Sequence, residues 1–146
     1  MSASNSLETA ILQHIFQNMA FANIGDAGGL LPSATAGSLY VSLHEGDPGE
    51  AGTQLTNETD YASYARVAVV RSAAGWTVAD NAVTNAAAVT FPKCTGAAQT
   101  LTHFGIGTAA SGAGVLLFSS ALTDNLVVSS GITPQYAIGD LSVTND

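Results

Sequence analysis

Apolar residues recur at helical spacing at the start of this chain. Leu7, Ile11, Ile15 and Met19 stand four apart, with Leu12 and Phe16 beside them, while Glu8, Gln13, Gln17 and Asn18 take the rest of the surface. The spacing predicts an amphipathic helix over residues 6–22. Asn5 is its expected N-cap, Glu8 follows three residues later as in a capping box, and Gly25 ends the pattern. The stripe must cover something apolar, either the chain's own β-domain or a neighbouring subunit. Removing residues 1–24 is expected to leave the β-domain folded. Residues 23–38 carry Gly, Ala, Ser, Leu and Pro without a period and read as a connector wrapping the domain, pinned by Leu30 and Leu31.

Beyond residue 38 the period changes to two. Leu39, Val41 and Leu43 alternate with Tyr40, Ser42 and His44. Shorter strand patterns follow at Arg66–Arg71, at Trp76 and Val78, at Val83, and at Val89–Phe91, which ends at Pro92. Two apolar runs, His103–Ile106 and Val115–Phe118, flank an Ala, Ser and Gly loop, the form of a β-hairpin whose turn needs glycine at positive φ. Leu126–Val128 and Ala137–Val143 complete the set. About eight short strands between turn signals predict a mainly β fold, a jelly-roll-like antiparallel β-sandwich with one N-terminal amphipathic helix. The expected organisation is a single domain over residues 1–146: helix 6–22, connector 23–38 and β-sandwich 39–146.

Composition narrows the function. The chain has 146 residues, of which 47% are hydrophobic and only 10% charged. Charged residues usually make up about 25%, so this surface must be built from Ser, Thr, Asn, Ala and Gly. These side chains lose little rotamer freedom when a partner covers them, which suits a protein enclosed by neighbours. Eleven acids against three bases give a net charge of −8. Arg66, Arg71 and Lys93 are too few to grip a phosphate backbone, so neither direct nucleic-acid binding nor attraction to an anionic membrane is expected. Cys94 stands alone and predicts stability without a disulfide. The N-terminus lacks a basic n-region and its apolar residues are interrupted by polar ones, so neither a signal peptide nor a membrane span is expected, and synthesis in the cytoplasm is the default.

No chemistry-bearing constellation stands out. His44, Glu45, Asp47 and Glu50 are close in sequence but match no calcium-loop spacing, and a solvated acidic loop is the simpler reading. His14, His44 and His103 lie on separate elements, which disfavours zinc and a Ser/His/Asp site alike. Gly105-Ile-Gly107 and Gly112-Ala-Gly114 precede no Gly-Lys-Ser/Thr and open no helix, so they read as hairpin glycines and not as a phosphate cradle. Trp76 with Tyr61 and Tyr64 could form a sugar-stacking platform, although Trp76 between Gly75 and Thr77 is more simply core. No catalytic residue, metal or cofactor is expected.

Several segments together resemble a family of small tailed-phage virion proteins. Leu39-Tyr-Val-Ser-Leu-His-Glu-Gly-Asp-Pro-Gly-Glu-Ala-Gly-Thr53 resembles the family's LYVSLHT-x-DPGE-x-G opening, with Glu45 departing from a small polar residue. Tyr61-Ala-Ser-Tyr-Ala-Arg-Val-Ala-Val69 resembles its Y-x-x-YARVAV pattern. Gly75-Trp76, Asn85 to Pro92, and His103-Phe-Gly-Ile-Gly107 with Gly112-Ala-Gly114 follow in the family's order. Members are described as tail-fibre-like, minor structural or capsid decoration proteins. With no heptads or fibre repeats in the chain, the resemblance implies a non-enzymatic cement protein on the capsid exterior of the virion. Its partners would be the phage major capsid protein and copies of itself, as a dimer or trimer. The alternative is a tail or baseplate structural protein, with host-glycan contact. The expected contact residues are Leu7, Ile11, Leu12, Ile15, Phe16 and Met19 on the helix, and Glu45, Asp47, Glu50, Glu58 and Asp60 in the acidic loop.

Overall fold

A computed structural model describes residues 2–145. The N-terminal period becomes α1, Asn5–Gln17, shorter than expected at its C-terminal end. Ser4, not Asn5, is the N-cap: its backbone is extended and its side chain accepts from the Leu7 N–H. The helix stops at Asn18, well before Gly25, because Asn18 takes the left-handed conformation (φ 54°, ψ 37°). The Asn18 and Met19 N–H groups then both bond back to the Gln13 carbonyl, closing the last turn. Asparagine serves here because its side chain also donates to the Ser33 carbonyl and accepts from the Ser33 N–H, both at 2.9 Å. This double bond, together with the paired backbones of Phe21 and Leu30, fixes the connector. Leu30 and Leu31, the expected pins, are exposed.

The strands are β1 (Ser38–His44), β2 (Val67–Val70), β3 (Trp76–Ala79), β4 (Ala82–Asn85), β5 (Val89–Thr90), β6 (Gln99–Gly107), β7 (Leu116–Val128), β8 (Gln135–Tyr136) and β9 (Ser142–Thr144). They form a four-stranded sheet in the order β2-β1-β6-β7, a three-stranded sheet β3-β4-β9 and a two-stranded sheet β5-β8. The protein is therefore mainly β, with antiparallel pairing and one N-terminal helix, as the periodicity predicts. Two segments depart from expectation. The terminal run Ala137–Val143 is broken by a turn in which Asp140 accepts from the Ala137 N–H and Gly139 has φ 83°. Conversely, Val115–Phe118 and Leu126–Val128 belong largely to one strand, β7, because residues 122–125 bulge out opposite Thr102 without ending the pairing with β6.

The chain gathers into two compact units. The first comprises Met1–Ser38, Val69–Ala88 and Tyr136–Asp146. Its core is built where α1 lies on β3 and β4, with Leu12, Phe16, Trp76, Val83 and Leu141 all buried. The Phe16 and Trp76 rings meet edge-on with centroids 4.8 Å apart. Arg71 crosses to the end of α1 and donates to the Ile15 carbonyl (2.6 Å) and the His14 carbonyl (2.7 Å), placing a cation where the helix dipole is negative. Asn85 is buried and fully used, accepting from Leu141 N–H and donating to the Ala87 and Ala137 carbonyls.

The second unit comprises Leu39–Ala68 and Val89–Gln135. Val41, Leu43, Leu101, Phe104 and Ile106 form its core along β1 and β6, with Tyr61, Phe91 and Cys94 also buried. Tyr61 donates to the Pro92 carbonyl at 2.8 Å, and burial, with Cys94 nearby, pushes its pKa up to about 12.

Candidate functional site

The polar residues with the most chemical potential lie in the second unit, where the long loop after β1 meets the hairpin loop between β6 and β7. The loop does not run free. Its Gln54 is fully buried, receives the Ala109 N–H at 2.9 Å and donates its own backbone N–H to the Ala113 carbonyl. Glycine is required on the facing strand for this reason. A Cβ on Gly107 would stand 2.2 Å from the Gln54 amide carbon, and one on Gly114 2.1 Å from its oxygen. The expected positive-φ turn glycines are Gly112 and Gly114, at φ 76° and 51°.

Arg66 locks the two loops together. Its guanidinium makes a bidentate pair with Glu58, Nε to Oε1 and Nη2 to Oε2, both 2.7 Å. The same group donates to the Ala109 and Gly112 carbonyls at 2.8 Å. Both side chains are nearly enclosed, 3% and 10% exposed. The hydrogen bond to Glu58 holds the guanidinium pKa above its ordinary value, despite the opposing cost of burial. Tyr64 donates to Glu58 Oε1 and accepts the Leu43 N–H, and burial raises its pKa far above the usual phenol range.

Strand register brings together histidines that sequence separation had kept apart. His44 on β1 stands opposite His103 on β6, and an isolated bridge pairs His44 with Glu58. The trio nevertheless has no free capacity at its centre. His44 is 0% exposed; its Nδ1 donates to the Thr56 carbonyl (2.9 Å), which leaves Nε2 to accept from Ser42 Oγ (2.8 Å). Glu58 is committed to Arg66 and Tyr64. A serine–histidine pair is thus present, but it is sealed beneath the sheet, with a carbonyl in place of the carboxylate that would orient a catalytic imidazole. Gly105 completes the seal, since a Cβ there would lie 2.7 Å from both His44 Nε2 and Ser42 Oγ.

Desolvation lowers the His44 pKa, outweighing the bond to Thr56. A buried neutral histidine stabilises the fold fully above pH 6.5, where the unfolded chain is also neutral, and less as pH falls toward the folded-state value. The melting temperature is expected to drop from pH 7 to pH 5, with a slope of at most about 1.4 kcal/mol per pH unit from this group. Thermal melts of His44→Gln across that range check the assignment: the variant should lose part of the acid sensitivity.

The expected contact residues divide. Leu12 and Phe16 are core, Ile11 and Ile15 are half-buried, and Leu7 and Met19 are exposed, Met19 lying beyond the helix end. Glu45, Asp47, Glu50 and Asp60 are exposed, whereas Glu58 is spent on Arg66. Asp47 caps its own turn by accepting from the Gly49 N–H, and Asp60 accepts from Gln99. The aromatic platform does not form: Trp76 is 0% exposed in the first unit, and Tyr61 is buried in the second. Among the described residues, no three His, Cys, Asp or Glu side chains converge to hold a metal, and no helix is long and apolar enough to cross a membrane.

What the sequence did not single out is the exposure of apolar side chains along β7. Leu117, Leu126 and Val127 on this strand, and Val115 just before it, are exposed. Buried polar groups thus hold the loops, while the second unit exposes both the acids Glu45, Asp47, Glu50 and Asp60 and these apolar side chains.

A family model described as Gp80, podophage GP4 fiber I protein gp80, matches residues 2–144. No curated protein matches the chain. The chain belongs to the Gp80 family and is a phage virion structural protein.

Proposed function

We propose that this member of the family is a non-enzymatic virion subunit that acts by packing against other virion proteins, and that its place is in the fibre assembly of the tail. The match over residues 2–144 to a family described as a fiber protein carries the reading. The physical character of the chain supports it. The Ser42–His44 and Arg66–Glu58 pairs are enclosed and satisfied, and the charged fraction of the chain is 10%, so little entropy or desolvation opposes covering its surface.

A second reading, decoration of the capsid exterior against the major capsid protein, is favoured by one observation. The described residues form compact units with a 13-residue helix, and carry neither heptads nor fibre repeats from which a shaft could be wound. The protein would then bridge capsomers through many modest contacts multiplied by the lattice. Immunogold labelling of purified particles with an antibody to this chain separates the two. Label at the tail is expected; label around the head moves the protein to the capsid, and particles without the chain end the virion reading.

A further inference from the structure

We infer that the β7 edge, over Leu116–Ala121, is a self-association strand that pairs antiparallel with the same strand of a second copy. The inference rests on reading the protein as an assembly subunit and adds the surface and the partner. β7 is the last strand of its sheet, so among the described residues one side of it has no neighbouring strand. Unpaired edges invite strand addition, and natural proteins blunt them with lysine, proline or short length. β7 is 13 residues long and has no Lys, Arg or Pro. Its single charge, Asp124, falls in the bulge 122–125, which ends the regular edge and confines pairing to the segment before it. A shallow groove lined by Gly49, Glu50 and Leu116–Ser119 runs beside that segment.

Charge and shape select a second copy as the occupant. A chain of net charge −8 repels itself, which favours contact between copies across its least acidic surface, here one with Glu50 as the acid beside it. Residues 94–123 contain no Asp, Glu, Lys or Arg, and the pairing segment lies inside this stretch. A two-fold contact must also be self-complementary. The segment reads Leu-Leu-Phe-Ser-Ser-Ala, large residues first and small ones after. Antiparallel pairing with itself sets each copy's large half against the other's small half, so that side chains fill the space between copies evenly.

The test is sedimentation of the full chain over a concentration series, for wild type, for Ser119→Lys with Ser120→Lys, and for Ser119→Glu with Ser120→Glu. Both serines are exposed, so neither pair of changes disturbs the core. Wild type should self-associate. Each charged variant alone should associate roughly ten- to a hundred-fold more weakly, because residue 119 of one copy and residue 120 of the other become diagonal neighbours on one face, where like charges repel. Mixing the two variants should restore association, which misfolded chains could not do. A wild type that stays monomeric, or variants that associate as it does, overturns the proposal. The particle labelling above is read separately, so loss of the virion reading and loss of the self-pairing strand give different results.

Discussion

Arg66→Ala is expected to lower the unfolding free energy by about 3–5 kcal/mol, enough to threaten a domain of ordinary stability. Three losses coincide. The Glu58 carboxylate remains enclosed with its bidentate partner gone, and the carbonyls of Ala109 and Gly112 lose the donor that bridged them. The figure belongs to a buried pair; an exposed one would be worth about 1 kcal/mol or less. Arg66→Lys should recover only part, because an ammonium cannot reproduce a fork that serves a carboxylate and two carbonyls together. Replacing both partners, Glu58→Leu with Arg66→Leu, should cost less than Arg66→Ala, since no charge is then left unpaired. Urea unfolding followed by the thiol reactivity of Cys94, buried in the same unit, measures each variant. A change below about 1 kcal/mol would show the pair behaving as a surface contact.

That clasp marks the limit of what the sequence disclosed. The strand at Leu39–Leu43, the glycine-punctuated hairpin and the N-terminal helix each form where their period placed them, but the faces differ. α1 buries Glu8, Leu12 and Phe16 rather than the Leu7, Ile11, Ile15 and Met19 row, and Ser42 and His44 are buried along with Val41 and Leu43. The ends of elements were less legible. Asn18 terminates α1 through bonds to Ser33, and Asp140 splits the last strand; neither depends on periodicity. The acidic loop looked solvated because its acids cluster without nearby bases. Glu58 finds Arg66 eight positions along the chain, past Tyr64, and the pair then reaches a hairpin loop more than forty residues further on. Only strand register, which sets His44 opposite His103, brings those segments together, and register is a long-range property. The exposed edge of β7 was similarly hidden, since sequence patterns do not reveal which strand ends a sheet.

The helix carries the other large effect. Phe16→Ala is expected to cost about 3–5 kcal/mol, the range for deleting a buried aromatic and leaving a cavity. Phe16 is 0% exposed and packs edge-on against Trp76, so its removal opens space against the largest side chain of the core. Deleting residues 1–24 should be worse. It removes Leu12 and Phe16 together, and leaves the Arg71 guanidinium without the two helix carbonyls it serves. The helix is thus expected to be needed for folding of the first unit, against the sequence-based expectation that the β-domain survives without it. Trp76 is the single tryptophan and Cys94 the single cysteine, and they lie in different units. A red shift in Trp76 emission reports opening around the helix, and Cys94 reactivity reports the other unit. Coincident midpoints for the two probes would identify one cooperative domain, and separate midpoints two. A truncated chain with native Trp76 emission and an unchanged melting temperature would return α1 to the surface as a dispensable contact arm.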